Sequence, residues 1–251
     1  MLKKPIALQV WTVRDELAKD FKGTVEKVAR IGYKGVEVGG DTGGMNAKEL
    51  RKFMDGLGLA IVSSHTPYDQ LAGDLGPTIE FAHECGMRFV ACPWAQGKSA
   101  GEWLTIAKTL EKAGAKLKEA GLQLCYHNHS HEFTRYKGHY AFDILYANSK
   151  PDLLMAEIDT YWVKAGGEEP QDYIRKYAGR VPLIHFKDMT AGANPTFTEV
   201  GNGILNWPEI CSAADEAGTQ WYIVEEDVCQ RPPIESARIS LENLKKMGVA
   251  T

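Results

Sequence analysis

Three short phrases put two chemistry-bearing side chains on one face of an extended segment: His127-Asn-His129, Glu157-Ile-Asp159 and His185-Phe-Lys187. Side chains alternate along a strand, so residues two apart point the same way. Further polar and aromatic residues stand at the ends of other β-rich runs: Gln9 and Trp11, Glu37, His65, Trp94, then Glu225, Glu226 and Asp227. His131 and Glu132 follow His129 closely. Histidine with carboxylates is a ligand set suited to Mn²⁺, Zn²⁺, Co²⁺ or Mg²⁺, and Asp159, His185 and Glu225 supply one. The same three residues also fit a buried hydrogen-bonded network without an ion. Charges facing a protein interior are costly unless paired or bound to a cation, so both readings tie them together.

A recurring unit must position these residues. A helix ends at a glycine and a β-rich run starts almost at once, as at Gly32, Gly58, Gly86, Gly121, Gly179 and Gly218. A left-handed residue satisfies the last carbonyls of a helix, and glycine adopts that conformation at least cost. The preceding segments have helical period: Leu50, Phe53, Met54 and Leu57 share a face, as do Leu104, Leu110 and Leu117. Asn46 with Glu49, and Ser99 with Glu102, are spaced as capping boxes. Pro77, Pro170 and Pro232 sit near helix starts. With a first strand near 6–11 and a sixth near 153–159, eight strands alternate with eight helices. This predicts a parallel sheet with right-handed crossovers. In 251 residues it favours one closed (β/α)₈ barrel over 1–251, an α/β TIM-barrel architecture with an outer ring of helices. The alternative is an open doubly wound sheet, but no glycine-rich phosphate loop follows the first strand. Barrel enzymes keep their chemistry at the C-terminal strand ends, where the residues above fall. His83 and His139 lie in predicted helical regions and carry no assigned role. Trp162 and Trp207 read as packing.

Composition narrows the class. Hydrophobic residues make up 44% and charged residues 25%, a globular mixture. A net charge of −4 argues against a general nucleic-acid binder. No stretch approaches the ~20 apolar residues that span a bilayer, and the start lacks the apolar core of a signal peptide. The five cysteines are widely spaced with no Cys-x-x-Cys pair, so they read as small buried side chains in a reduced, cytoplasmic protein.

Several phrases together resemble a known family. They are Leu-Gln-Val-Trp-Thr-Val-Arg-Asp-Glu-Leu, Tyr-His-Asn-His-Ser-His-Glu-Phe, Glu-Ile-Asp-Thr-Tyr-Trp-Val, His-Phe-Lys-Asp-Met, Val-Gly-Asn-Gly-Ile-Leu-Asn-Trp and Ile-Val-Glu-Glu-Asp. In this order, over about 6–225, the chain resembles the xylose isomerase-like TIM-barrel superfamily, nearest the sugar phosphate isomerase/epimerase group. The resemblance implies one divalent metal, manganese among the candidates, held by residues of strands five to eight. Asp159, His185 and Glu225 match three of its ligands. Strand five departs from the pattern, because many relatives have a Glu where His127 stands. The fourth ligand is then His127 or Glu132, and Glu132 is preferred because a second carboxylate keeps the charge balance.

The implied activity is that of an isomerase or epimerase acting on a small sugar or keto-sugar through a metal-stabilised enediolate. Glu225 is the candidate base, and Glu132 or a histidine returns the proton. Lys187 stabilises oxyanion charge or binds an acidic substrate group. Glu37, His65, His127 and His129 bind hydroxyls, and Trp11 and Trp94 pack on a sugar face. The main alternative keeps the metal and expels a group beta to the carbonyl, as a dehydratase or a keto-glycoside lyase. The minor readings are a sugar-binding barrel without turnover and an abasic-site endonuclease, the latter opposed by the acidic balance. The expected partners are a sugar-like small molecule and further copies of the chain in a dimer or tetramer, with no nucleic acid and no membrane.

Overall fold

A computed structural model describes residues 2–250. Eight parallel strands close into a barrel. They are β1 (Ile6–Gln9), β2 (Gly35–Val38), β3 (Ala60–His65), β4 (Phe89–Cys92), β5 (Gln123–His127), β6 (Met155–Asp159), β7 (Leu183–Phe186) and β8 (Trp221–Val224). Closure is explicit, because β1 pairs with both β2 and β8. The six expected glycines all have positive φ. Gly32, Gly86 and Gly218 are themselves left-handed helix caps. Asn46 and Glu49 form the full capping box. Ser99 caps the Glu102 amide, while the Glu102 carboxylate reaches one residue further out, to the Lys98 amide.

The barrel interior is built in layers. Ala7, Val62, Phe89, Ala91, Cys125, Leu183 and Ile223 form an apolar plug. Four of them lie two residues before a polar side chain of the mouth: Ala7 before Gln9, Cys125 before His127, Leu183 before His185 and Ile223 before Glu225. The strand period therefore carries the same inward face from an apolar floor to a polar layer. A larger cluster, including Leu50, Met54, Leu110 and Phe142, fills the space between barrel and helices.

Two local expectations are corrected. β1 stops at Gln9, and Val10–Val13 forms a 3₁₀ turn. The Gln9 side chain causes this by accepting from the Trp11 amide at 3.1 Å, which turns Trp11 onto the rim. His139 is not helical. It pairs in a small antiparallel ladder, Tyr136 opposite His139. Lys137 and Gly138 between them have φ of 51° and 86°, the left-handed pair that a tight hairpin turn needs. Four cysteines are buried and Cys229 is partly exposed, all as free thiols. No helix among the described residues is long and apolar enough to cross a membrane.

Candidate active site

The deeper part of the polar layer centres on Glu37, which is fully buried. A register shift between β2 and β3 at Val36/Glu37 places it opposite Ser63, and the Ser63 hydroxyl donates to it. Gln9 Nε2 donates to Glu37 at 2.7 Å. His185 Nε2 lies 2.7 Å and His65 Nε2 3.1 Å from the same carboxylate. Glu157 stands across from them, 3.4 Å from His65 and 3.6 Å from His185. Burial pushes the Glu37 carboxyl up, but the two rings overcome it and hold Glu37 well below the usual range. In turn, burial opposes charge on His65, and Glu37 outweighs that and raises the ring to about 10.

Nearer the rim, ligand atoms of His127, Asp159, His185 and Glu225 lie within 4.8 Å of one another, and all four residues are buried. His127 Nε2 is 3.1 Å from Asp159, and His185 Nδ1 is 2.9 Å from Glu225. Lys187 is buried here, with Nζ 2.8 Å from Asp227, 3.1 Å from Glu225 and 3.3 Å from Asp159. Against the upward push of burial, Lys187 and then His185 hold Glu225 well below its ordinary range. Burial, with the His185 and His65 rings nearby, keeps the His127 ring neutral by moving it well below its ordinary value. Lys187 is thus engaged by three carboxylates.

The residues fit a divalent metal. Two imidazoles and two carboxylates are a mixed nitrogen and oxygen donor set. Metal–ligand bonds of about 2.1 Å separate neighbouring ligand atoms by roughly 3 Å, and the spacings above match. A ligating histidine usually gives its other ring N–H to a carboxylate. His185 is arranged that way: Nε2 faces Glu37 and Nδ1 faces the tetrad. Moreover, the carboxylates of Asp159, Glu225 and Asp227 converge on one permanent cation, Lys187. One oxygen of Glu157 and Nδ1 of His127 are buried without a hydrogen-bond partner.

Glu132 lies outside this tetrad, and His127 stands in the fourth position instead. The Glu132 carboxylate accepts from the Tyr126 hydroxyl at 2.6 Å and from the His129 amide at 2.8 Å. His131 Nε2 is 3.3 Å away. The short loop thus turns Glu132 behind β5, where burial raises its carboxyl to about 7. Glu157 and Ser63 belong to the polar layer yet were not among the expected site residues. Glu157 had a signal, since it shares its inward face with Asp159. Ser63 had none, because its role depends on the register of β2 with β3.

A cavity of about 530 Å³ opens above these groups. Gln9, Trp11, Arg14, Gly39, Gly40, His65, Trp94, His127, His129, Glu225 and Asp227 are among its lining residues. Burial, and then His127 beside it, lowers the His129 ring to about 2. Trp162 is part of this region, with Lys187 Nζ 5.3 Å from its ring centre and the His129 ring 5.3 Å away. Trp207 is packing, buried against Phe186 with its indole N–H on Asp188.

Known proteins share this framework. The inosose dehydratase of Lacticaseibacillus casei strain BL23 is 28% identical, over 94% of this chain and 94% of its own. A sugar phosphate isomerase/epimerase from Parabacteroides distasonis superposes with a TM-score of 0.85 at 26% identity, covering 98% of this chain and 94% of that one. The probable 3-DHS dehydratase of Bacillus anthracis shares the fold, with a TM-score of 0.74 at 14% identity, over 96% of this chain and 98% of that one. The sequence profile of one enzyme family spans residues 25–247, and this chain belongs to it: the xylose isomerase-like TIM barrel family.

Proposed function

We propose that this protein is a divalent-metal-dependent lyase that removes a group beta to the carbonyl of a keto-sugar or keto-polyol. One observation carries the choice over epimerisation. Proton return to the opposite face of carbon needs a second base across from Glu225. Glu132, the carboxylate expected there, is withdrawn behind Tyr126, and the histidines in its place, His127 and His129, are held neutral by burial and carry no proton to return. The similarity to inosose dehydratases over nearly the whole chain supports the same reading.

His127, Asp159, His185 and Glu225 would hold the metal, which would supply Lewis acidity at the substrate carbonyl. Glu225 takes the proton from the neighbouring carbon, and Lys187 and His185 keep it ionised for that step. His65 lines the cavity and is fixed by Glu37 and Glu157. It delivers a proton to the departing oxygen. Lys187 orients Asp159 and Glu225.

Proton NMR of an inosose-type keto-polyol with the Mn²⁺-loaded protein in deuterated water tests the reading. The expected product is the unsaturated ketone formed by loss of water, or its tautomer. An intact polyol epimerised at the deuterated carbon would overturn the lyase reading. Full turnover after complete metal removal would overturn the metal's role.

A further inference from the structure

Glu226 stands beside the mouth but turns away from it. Its neighbours Glu225 and Asp227 line the cavity, whereas Glu226 lies on the outer side, against Ser236 in the first turn of the last helix, Pro233–Lys246. It is 4% exposed. Both of its carboxylate oxygens are buried and accept no hydrogen bond from any described residue. A buried carboxylate without a partner is costly.

The groups around it deepen that cost. Glu199 is buried as well, and its charge opposes that of Glu226. Ser236 lies against both carboxylates, but its single hydroxyl proton goes to Glu199 Oε1 at 3.1 Å. Glu199 is otherwise answered, by Arg231 Nε at 2.6 Å and Asn202 Nδ2 at 3.1 Å. Two carboxylates and one guanidinium leave one negative charge, and it sits on Glu226. Glu16 lies near the same cluster but is partly exposed.

The donors set the kind of ion that could answer this charge. Carboxylate and hydroxyl oxygens suit hard cations. The nearby Cys229 thiol is pushed up to about 12 by burial and then by Glu226, so it stays protonated and offers no soft ligand. Among the described residues, tight groups of three or more ligating side chains occur only at the mouth. Loosely spaced oxygens around a single unanswered charge suit a large ion of charge one.

We infer that Glu226, Glu199 and Ser236 form a site for a monovalent cation, sodium or potassium, on the outer side of the β8 end. Held there, the ion braces the segment whose inner side carries Glu225 and Asp227. The Glu226 amide already ties that segment to Thr12 Oγ1 at 3.1 Å.

Thermal unfolding of the Mn²⁺-loaded protein in potassium, sodium and choline chloride at one ionic strength tests this. It reads no turnover, so it stands apart from the lyase reading. With the alkali ion at about ten times its Kd, the midpoint should rise by about 3–5 °C over choline. Glu226→Gln should abolish that gain. Ser236→Ala, which removes a donor and no charge, should reduce it. Sodium NMR should show a resonance broadened by the protein, sharpened by added potassium and sharp with Glu226→Gln. Equal midpoints in the three salts would mean that Glu226 keeps a proton instead, and would overturn the inference. A gain undiminished in both variants would place the ion elsewhere and overturn it too. So would a gain with calcium but with neither alkali ion.

Discussion

His127 and Glu132 differ in what their polar atoms already hold. Glu132 has both oxygens engaged by Tyr126 and the His129 amide, whereas among the described residues His127 hydrogen-bonds only Asp159, through Nε2. His127→Ala should therefore lower metal affinity at least about tenfold, while Glu132→Gln keeps it, as titration with Mn²⁺ will show. Equal losses in the two variants would return Glu132 to the ligand set. Lys187→Met leaves Asp159, Glu225 and Asp227 without their shared cation, and removing one partner of a buried pair costs about 3–5 kcal/mol. Urea unfolding measures it. Much of this site was legible, because the strand period put His127, Asp159, His185 and Lys187 on inward faces. What stayed hidden was distance. No spacing in the sequence says that Glu132 turns back on the Tyr126 hydroxyl.

Between strands and helices, single residues set whole segments. The buried Asp188 carboxylate accepts from the amides of Met189, Gly201, Gly203 and Leu205 and from the Trp207 indole. It thereby pins the excursion after β7, which brings Phe197 within 5.3 Å of Lys187. Each buried donor left unpaired costs about 1–3 kcal/mol, so Asp188→Ala should lose at least ~3 kcal/mol. The excursion should also become the first site of limited proteolysis, and cleavage first elsewhere would refute that role. Gly114 poses a different contest. Alanine gains about 1 kcal/mol over glycine inside a helix, but a Cβ there would sit 1.9 Å from the Leu153 carbonyl oxygen. Overpacking of this kind costs about 1–3 kcal/mol, so Gly114→Ala should lower the thermal midpoint. The left-handed glycines were legible because helix ends obey local rules. The end of β1 was not, because Gln9 terminates it through a side-chain contact.

For the whole molecule, the excess of carboxylates at the mouth ties stability to the ion. A ligand at a hundred times its Kd stabilises by about 2.7 kcal/mol, which in a chain of this size raises the thermal midpoint by roughly 5–10 °C. Calorimetry with and without chelator checks this, and an unchanged midpoint would remove the metal from the account. The closed barrel could be read from eight repeats of one unit, whereas the contacts inside its lumen could not. Those contacts have a mechanical meaning. Strand β2 and strand β7 are not neighbours in the sheet, yet Glu37 and His185 join them through the lumen. His65 on β3 and Glu157 on β6 make a second cross-tie. The walls are laced from within, so one strand cannot breathe alone. Amide hydrogen exchange in β2 and β3 should slow together with that in β6 and β7 when Mn²⁺ is added, although two of those strands contribute no ligand to the tetrad.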